Sequence, residues 1–170
     1  MSVSTLKELY VDQLKDLYNA ESQLVKALPK MAQAATSTQL RQTIEDHLTQ
    51  TEGHVQRLTR ILEVLDETAG SKVCKAMKGL IAEGEEAVGE IEKGDVLDAG
   101  IIAAAQRVEH YEIAGYGTAR NFAKLLGDKE AVSILQQTLD EEGAADEKLT
   151  KLANATINKH AKKASASAEA

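Results

Sequence analysis

The sequence predicts an all-α protein built as a four-helix bundle. Ala, Leu, Glu, Gln and Lys are abundant, while the 170 residues include one Pro, one Phe and no Trp, a composition that favours helix. Apolar residues recur at spacings of three and four along four long stretches. A glycine-bearing segment too long for a turn separates the second stretch from the third.

The first helix is predicted from about Thr5 to Ala35, with Tyr10, Leu14, Leu17, Leu24, Leu28 and Met31 as its apolar stripe. Ser4 or Thr5 is placed to cap it, with Glu8 completing a capping box. Pro29 predicts a kink or an early end, because proline removes a helical hydrogen bond and crowds the preceding turn. After a break at Thr36, Ser37 and Thr38, the second helix carries Leu40, Ile44, Leu48, Thr51, Val55, Leu58, Leu62 and Leu65, and is expected to stop near Gly70. The segment from Ser71 to Asp95 holds four glycines and reads as a crossover with a short helix of its own. The third helix is predicted from about Val96 to Leu126, stopped by Gly127 and Asp128. The fourth runs from about Lys129 to near His160. Residues 1–160 thus form a single domain, and 161–170 (AKKASASAEA) are expected to be a disordered tail lacking apolar mass.

Two tight hairpins joined by one long crossover is the ferritin-like arrangement of a four-helix bundle. An up-down bundle with a long surface loop is the alternative on connectivity alone.

Charge and cysteine content narrow the function. A net charge of −7 gives no positive field for a phosphate backbone, so nucleic acid is not an expected partner. A lone Cys74 allows neither an internal disulfide nor a cysteine-based zinc site and fits a reducing, cytoplasmic setting. No segment resembles a signal peptide or approaches the ~18 apolar residues of a membrane span, so no membrane role is expected.

Acids interrupt the stripes at mid-helix. Glu21 fills the gap between Leu17 and Leu24. Glu109 and Glu112 lie in the seam of the third helix, and Glu142 and Asp146 in that of the fourth. The second helix offers His47, Gln50, Thr51 and His54 around its seam, with Glu52 turned away. If the hairpins turn near residues 36 and 128, Glu21 is level with His47 and His54, and Glu109 and Glu112 are level with Asp146 and Glu142. An unpaired buried carboxylate costs several kcal/mol in a fold stable by only about 5–15 kcal/mol. No Lys or Arg falls on the seams at that height; Arg107 and Lys148 lie off them. Shared protons and hydroxyls from Tyr18 or Tyr116 could compensate one or two acids. Two divalent cations could compensate all of them, and hard oxygen donors with imidazoles suit iron first and manganese second. The alternative is that the stripes drift and some of these acids are solvated at the seam edge. His110 and His160 are expected in solvent, and Glu141, about 100° from Glu142, is read as a supporting or surface acid.

The stretches LYNAESQLVKALPKMA, HLTQTEGHVQRL, IIAAAQRVEHYEIAGYGT and LQQTLDEE resemble the YciE/YciF family of bacterial stress-induced ferritin-like proteins, over about Leu6 to Leu152. The resemblance implies a four-helix bundle with a short extra helix, a homodimer, and similarity to the dimetal part of rubrerythrin. In that pattern one acid comes from the first helix, a Glu-x-x-His unit from the second, one or two acids from the third and a Glu-x-x-His from the fourth. Glu21, Glu109, Glu112 and Glu142 match. The chain departs from it on the second helix, where Gln50 stands at the usual Glu and His54 at the usual Gln, so His54 is the candidate replacement ligand. It departs again on the fourth, where Asp146 replaces histidine. The implied function is a nonhaem dimetal protein that oxidises Fe(II) or handles peroxide, with oxygen or peroxide as the small oxidant and no catalytic residue assigned. The alternative is a non-catalytic structural or interaction protein that keeps the fold. Iron storage in a cage is disfavoured, because the polar tail does not read as the fifth helix that cage ferritins use.

Overall fold

The structure is a computed structural model that describes residues 3–168. Six helices follow in order: α1 (Leu6–Ala34), α2 (Thr38–Val64), α3 (Lys75–Glu90), α4 (Asp95–Leu125), α5 (Lys129–Leu152) and, after a π-helical turn at Ala153–Ile157, α6 (Asn158–Ala168). No strand occurs among the described residues. α1, α2, α4 and α5 form the bundle. Thr36 and Ser37, just past the end of α1, donate their backbone N–H groups to Asp98 near the start of α4, at 2.7 and 2.8 Å. Leu17 meets Gly115 toward the other end, so these two helices run antiparallel. α2 and α5 are likewise antiparallel, joined by Lys148–Asp46 at one end and Arg60–Glu130 at the other. Hence α2 and α4 run in the same direction, and the chain must travel back along the bundle between them. That return carries α3, which packs on α1 and α4. This is the ferritin-like connectivity.

Local chemistry explains most boundaries. The Thr5 hydroxyl accepts from Glu8 N–H while the Glu8 carboxylate accepts from Thr5 N–H, closing the expected capping box. Ser37 caps α2 and Asp128 caps α5, after a turn in which Gly127 takes φ +81°. Four expectations are corrected. α1 continues through Pro29 to Ala34, because Pro29 is exposed and the Val25 carbonyl, left without its N–H partner, can be hydrated. α2 stops at Val64 rather than near Gly70. Asp66 takes the left-handed conformation (φ 56°), while Asp66 and Glu67 N–H groups return to Glu63 and Leu62 carbonyls, so a Schellman motif ends the helix without glycine. The last long helix is interrupted by the π turn, where Ala153 and Ile157 face the core. Residues 161–168, expected to be disordered, extend α6, consistent with the helix propensity of Ala and Lys; 169–170 lie outside the described residues.

The apolar core is in two parts. One contains Leu24, Leu28, Ile44, Ile101, Leu149 and Ile157, at the end where α1 turns into α2. The other contains Tyr10, Leu14, Leu58, Leu62, Tyr116 and Leu135, at the opposite end. The mid-helix acids lie between them.

Candidate metal centre

Six side chains from four helices meet in this layer. Glu21 comes from α1, His47 and His54 from α2, Glu109 and Glu112 from α4, and Glu142 from α5. Glu21, His54, Glu112 and Glu142 have no exposure to solvent, while Glu109 retains 2% and His47 7%. The helical repeat places each of them: Glu21 is one turn beyond Leu17, and Glu109 and Glu112 are three apart on one face. Gly115 brings α4 against α1 here, since a Cβ at that position would stand 2.8 Å from Leu17 Cδ2.

The donor atoms fall into two groups that could each hold a metal ion. One is His47, Glu109, Glu112 and Glu142; the other is Glu21, His54 and Glu142, and within each the donor atoms lie within 4.8 Å of one another. Glu142 belongs to both. His54 Nδ1 is 2.9 Å from Glu142 Oε1 and 3.3 Å from Glu21 Oε1, and His47 Nε2 is 3.3 Å from Glu109 Oε1. Yet His54 Nδ1 and both His47 nitrogens lack a hydrogen bond of good geometry, as do both oxygens of Glu112 and of Glu142 and one oxygen each of Glu21 and Glu109. Buried polar atoms are almost always satisfied. Close but off-axis donors converging on common points are arranged as ligands are, and carboxylates with imidazoles are the donor set of iron and manganese.

Two contacts brace the layer. Tyr116, fully buried, donates its hydroxyl to Glu21 Oε1. On the other side, Arg57 grips Glu141 with two bonds, Nη1–Oε2 at 2.7 Å and Nη2–Oε1 at 2.9 Å. Arg57 Nη1 also donates to the Thr138 hydroxyl, at 3.0 Å. Glu141 Oε2 is in turn 2.9 Å from His54 Nε2. A carboxylate on the far nitrogen fixes the ring and leaves Nδ1 facing Glu21 and Glu142, the usual support of a ligating histidine.

Protons balance the charge of the metal-free layer. Burial, then the neighbouring carboxylates, push Glu109 and Glu112 well above the usual carboxylate range. Burial likewise raises Glu21, against the pull of His54. Burial would raise Glu142, but His54, His47 and Glu109 together lower it. Burial alone would lower His54, but Glu142 and Glu21 push it up to about 10. His47 is lowered by burial. Glu141, raised by burial but held by Arg57 and His54, falls to about 2.

Of the seven predicted ligands, the structure brings six together. Asp146 stands apart at the flank, accepting from Gln106 Nε2 at 2.9 Å and lying 3.5 Å from His110 Nε2. The reason is angular, since four residues advance about 400° and so turn Asp146 about 40° from Glu142. Gln50 is exposed. His110 and His160 face solvent, as expected. Tyr116 reaches the layer, and Tyr18 packs beside the apolar end. Arg57 was not anticipated, because its contact with Glu141 runs between helices.

Fold and site together define a class: a ferritin-like four-helix bundle with a buried carboxylate–histidine layer at its centre. The chain belongs to the family described as Domain of unknown function (DUF892), whose sequence model matches residues 5–162. It is 43% identical over 162 residues to Protein YciF of Escherichia coli (strain K12), across 95% of this chain and 98% of that protein. The motifs read from the sequence therefore identified its family correctly. The crystal structure of the E. coli stress protein YciF superposes with a TM-score of 0.89 at 42% identity, covering 92% of this chain and 99% of that one. YcfI of Rhodopseudomonas palustris, named for a structural role, gives 0.85 at 43% identity over 88% and 95% of the two chains. A Xanthomonas campestris pv. campestris protein shares the fold, with a TM-score of 0.72 at 21% identity over 90% and 94%. Among the described residues no helix is long and apolar enough to cross a membrane.

Proposed function

We propose that this chain is a stress-related protein that binds two divalent metal ions, iron in preference to manganese, and that iron held there reacts with oxygen or peroxide. One observation carries the reading: the buried layer holds nine donor atoms without a satisfactory hydrogen bond, drawn from four carboxylates and two imidazoles. Glu21, His54 and Glu142 hold one ion; His47, Glu109, Glu112 and Glu142 hold the other. Bound iron would supply electrons and open coordination positions for the oxidant. The chain supplies the rest. Glu142 links the two positions, Glu141 and Arg57 orient His54, Tyr116 holds Glu21, and the apolar layers on both sides flank the site.

A second reading is favoured by Gln50. α2 contributes no carboxylate to either donor group, and an exposed amide, Gln50, stands at the place of the family's acid. On that reading the bundle binds metal for structure alone, a role in keeping with the name of the Rhodopseudomonas relative. Anaerobic loading with Fe(II), followed by exposure to oxygen or to peroxide, separates the two. The first reading predicts oxidation faster than in protein-free solution; an equal rate leaves the structural role.

A further inference from the structure

Beside the carboxylate layer lies a cavity of about 320 Å³, inside the roughly 300–1,000 Å³ range of small-molecule sites. Its walls are apolar, with Leu24, Ile44, Ile101 and Val108 from the bundle and Ile81 and Val88 from α3. α3 forms this wall without sealing it. Only Met77 and Gly84 of that helix are buried, and Leu80, Ile81 and Val88 remain half-buried. The inner end reaches His47 and Glu109, both more than nine-tenths buried, and neither His47 nitrogen has a hydrogen bond of good geometry. The mouth is charged but balanced. Lys30 pairs with Glu85 at 3.2 Å and Lys148 with Asp46 at 2.9 Å, and all four side chains are about half exposed or more. A charged ligand would have to break one of these pairs and then pass walls that are apolar over most of their length.

We infer that this cavity is a binding site for an uncharged, largely apolar small molecule that enters past α3 and comes to rest against His47 and Glu109. A fused aromatic or branched aliphatic skeleton matches the volume and the walls, and a single hydroxyl or carbonyl at its inner end could meet the unbonded imidazole. Binding itself does not require metal. The proposed dimetal function bears only on what the inner end of the ligand faces, which is the metal-bearing layer.

The test uses the uncharged dye N-phenyl-1-naphthylamine, titrated by fluorescence into full-length metal-free protein. The expected result is saturable binding with a dissociation constant in the micromolar range. Ala105→Phe, which fills the cavity from α4, should weaken binding about tenfold or more. Ala103→Phe, on the exposed face of the same helix, should leave it unchanged. If Ala105→Phe fails to fold, Ile81→Lys on the half-exposed α3 places a charge in the wall and should have the same effect. Dye binding that is absent, that all these variants leave unchanged, or that vanishes on dimerisation because a second copy covers the mouth would overturn the assignment. Metal content, measured separately on the same samples, tests the dimetal reading independently.

Discussion

The middle and the ends of this bundle are built on opposite terms. In the end layers most buried side chains are apolar and favour the folded chain: Leu14 and Leu40 are fully buried, and Leu58 is 1% exposed. In the middle, four carboxylates and two imidazoles are equally buried, but nine of their donor atoms are left unmatched. The ends stabilise the fold; the middle is held in place by them and opposes it until something neutralises it. The comparison teaches that the central layer is kept at a cost in stability, the trade expected of a site that binds something.

The contrast is sharpest at Leu14 and Glu112. Leu14→Ala should lower stability by about 2–5 kcal/mol through transfer and cavity terms, while leaving metal content unchanged because the two layers are separate. Chemical denaturation alongside elemental analysis checks both halves. Glu112→Leu should do the reverse: the metal-free protein gains about 1–3 kcal/mol, because an unsatisfied buried acid is replaced by an apolar side chain, and metal binding is lost. A loss of stability in metal-free Glu112→Leu would mean that Glu112 is satisfied and the contrast is wrong. Arg57→Ala lies between the two. It touches no donor group directly but frees Glu141 and hence His54, so metal affinity should drop about 10–100-fold with the fold intact, read by competition with a chelator of known affinity.

The smallest effect is a pH trend, whose sign follows from the proton balance. His54 is pushed up to about 10 from an ordinary 6.5. Its contribution to stability is therefore complete below pH 6.5 and is lost as pH rises toward 10. Glu109 and Glu112, raised well above their ordinary values, also hold more protons folded than unfolded, so they act in the same direction. Metal-free protein should melt at progressively lower temperature from neutral to alkaline pH. Bound metal displaces those protons and should flatten or reverse the slope. A metal-free melting temperature that rises with pH would contradict the assigned proton balance.

Much of this contrast is legible in the sequence. The gap between Leu17 and Leu24 exposes Glu21 as an inward acid, and Glu109, Glu112 and Glu142 break their stripes in the same way, because helical periodicity reports which face a residue occupies. It reports less well how far a stripe drifts, which is why Asp146 reads as a ligand and sits beside Gln106 instead. It is silent on long side chains that reach past their own face. Arg57 spans from α2 to Glu141 on α5, and no spacing within one helix shows that contact. The stop at Asp66 was hidden for a different reason: a residue other than glycine took the left-handed position on which the boundary depends.

The central claim is that the middle layer is a two-metal site joined by Glu142, and metal analysis of protein purified without chelators tests it most directly. Wild-type protein should carry iron or manganese near two per chain, and Glu142→Gln, which removes a donor from both groups, should retain little of either. Metal-free wild type after supplementation with iron and manganese, or a Glu142→Gln variant that binds both ions as well as wild type, would contradict the account.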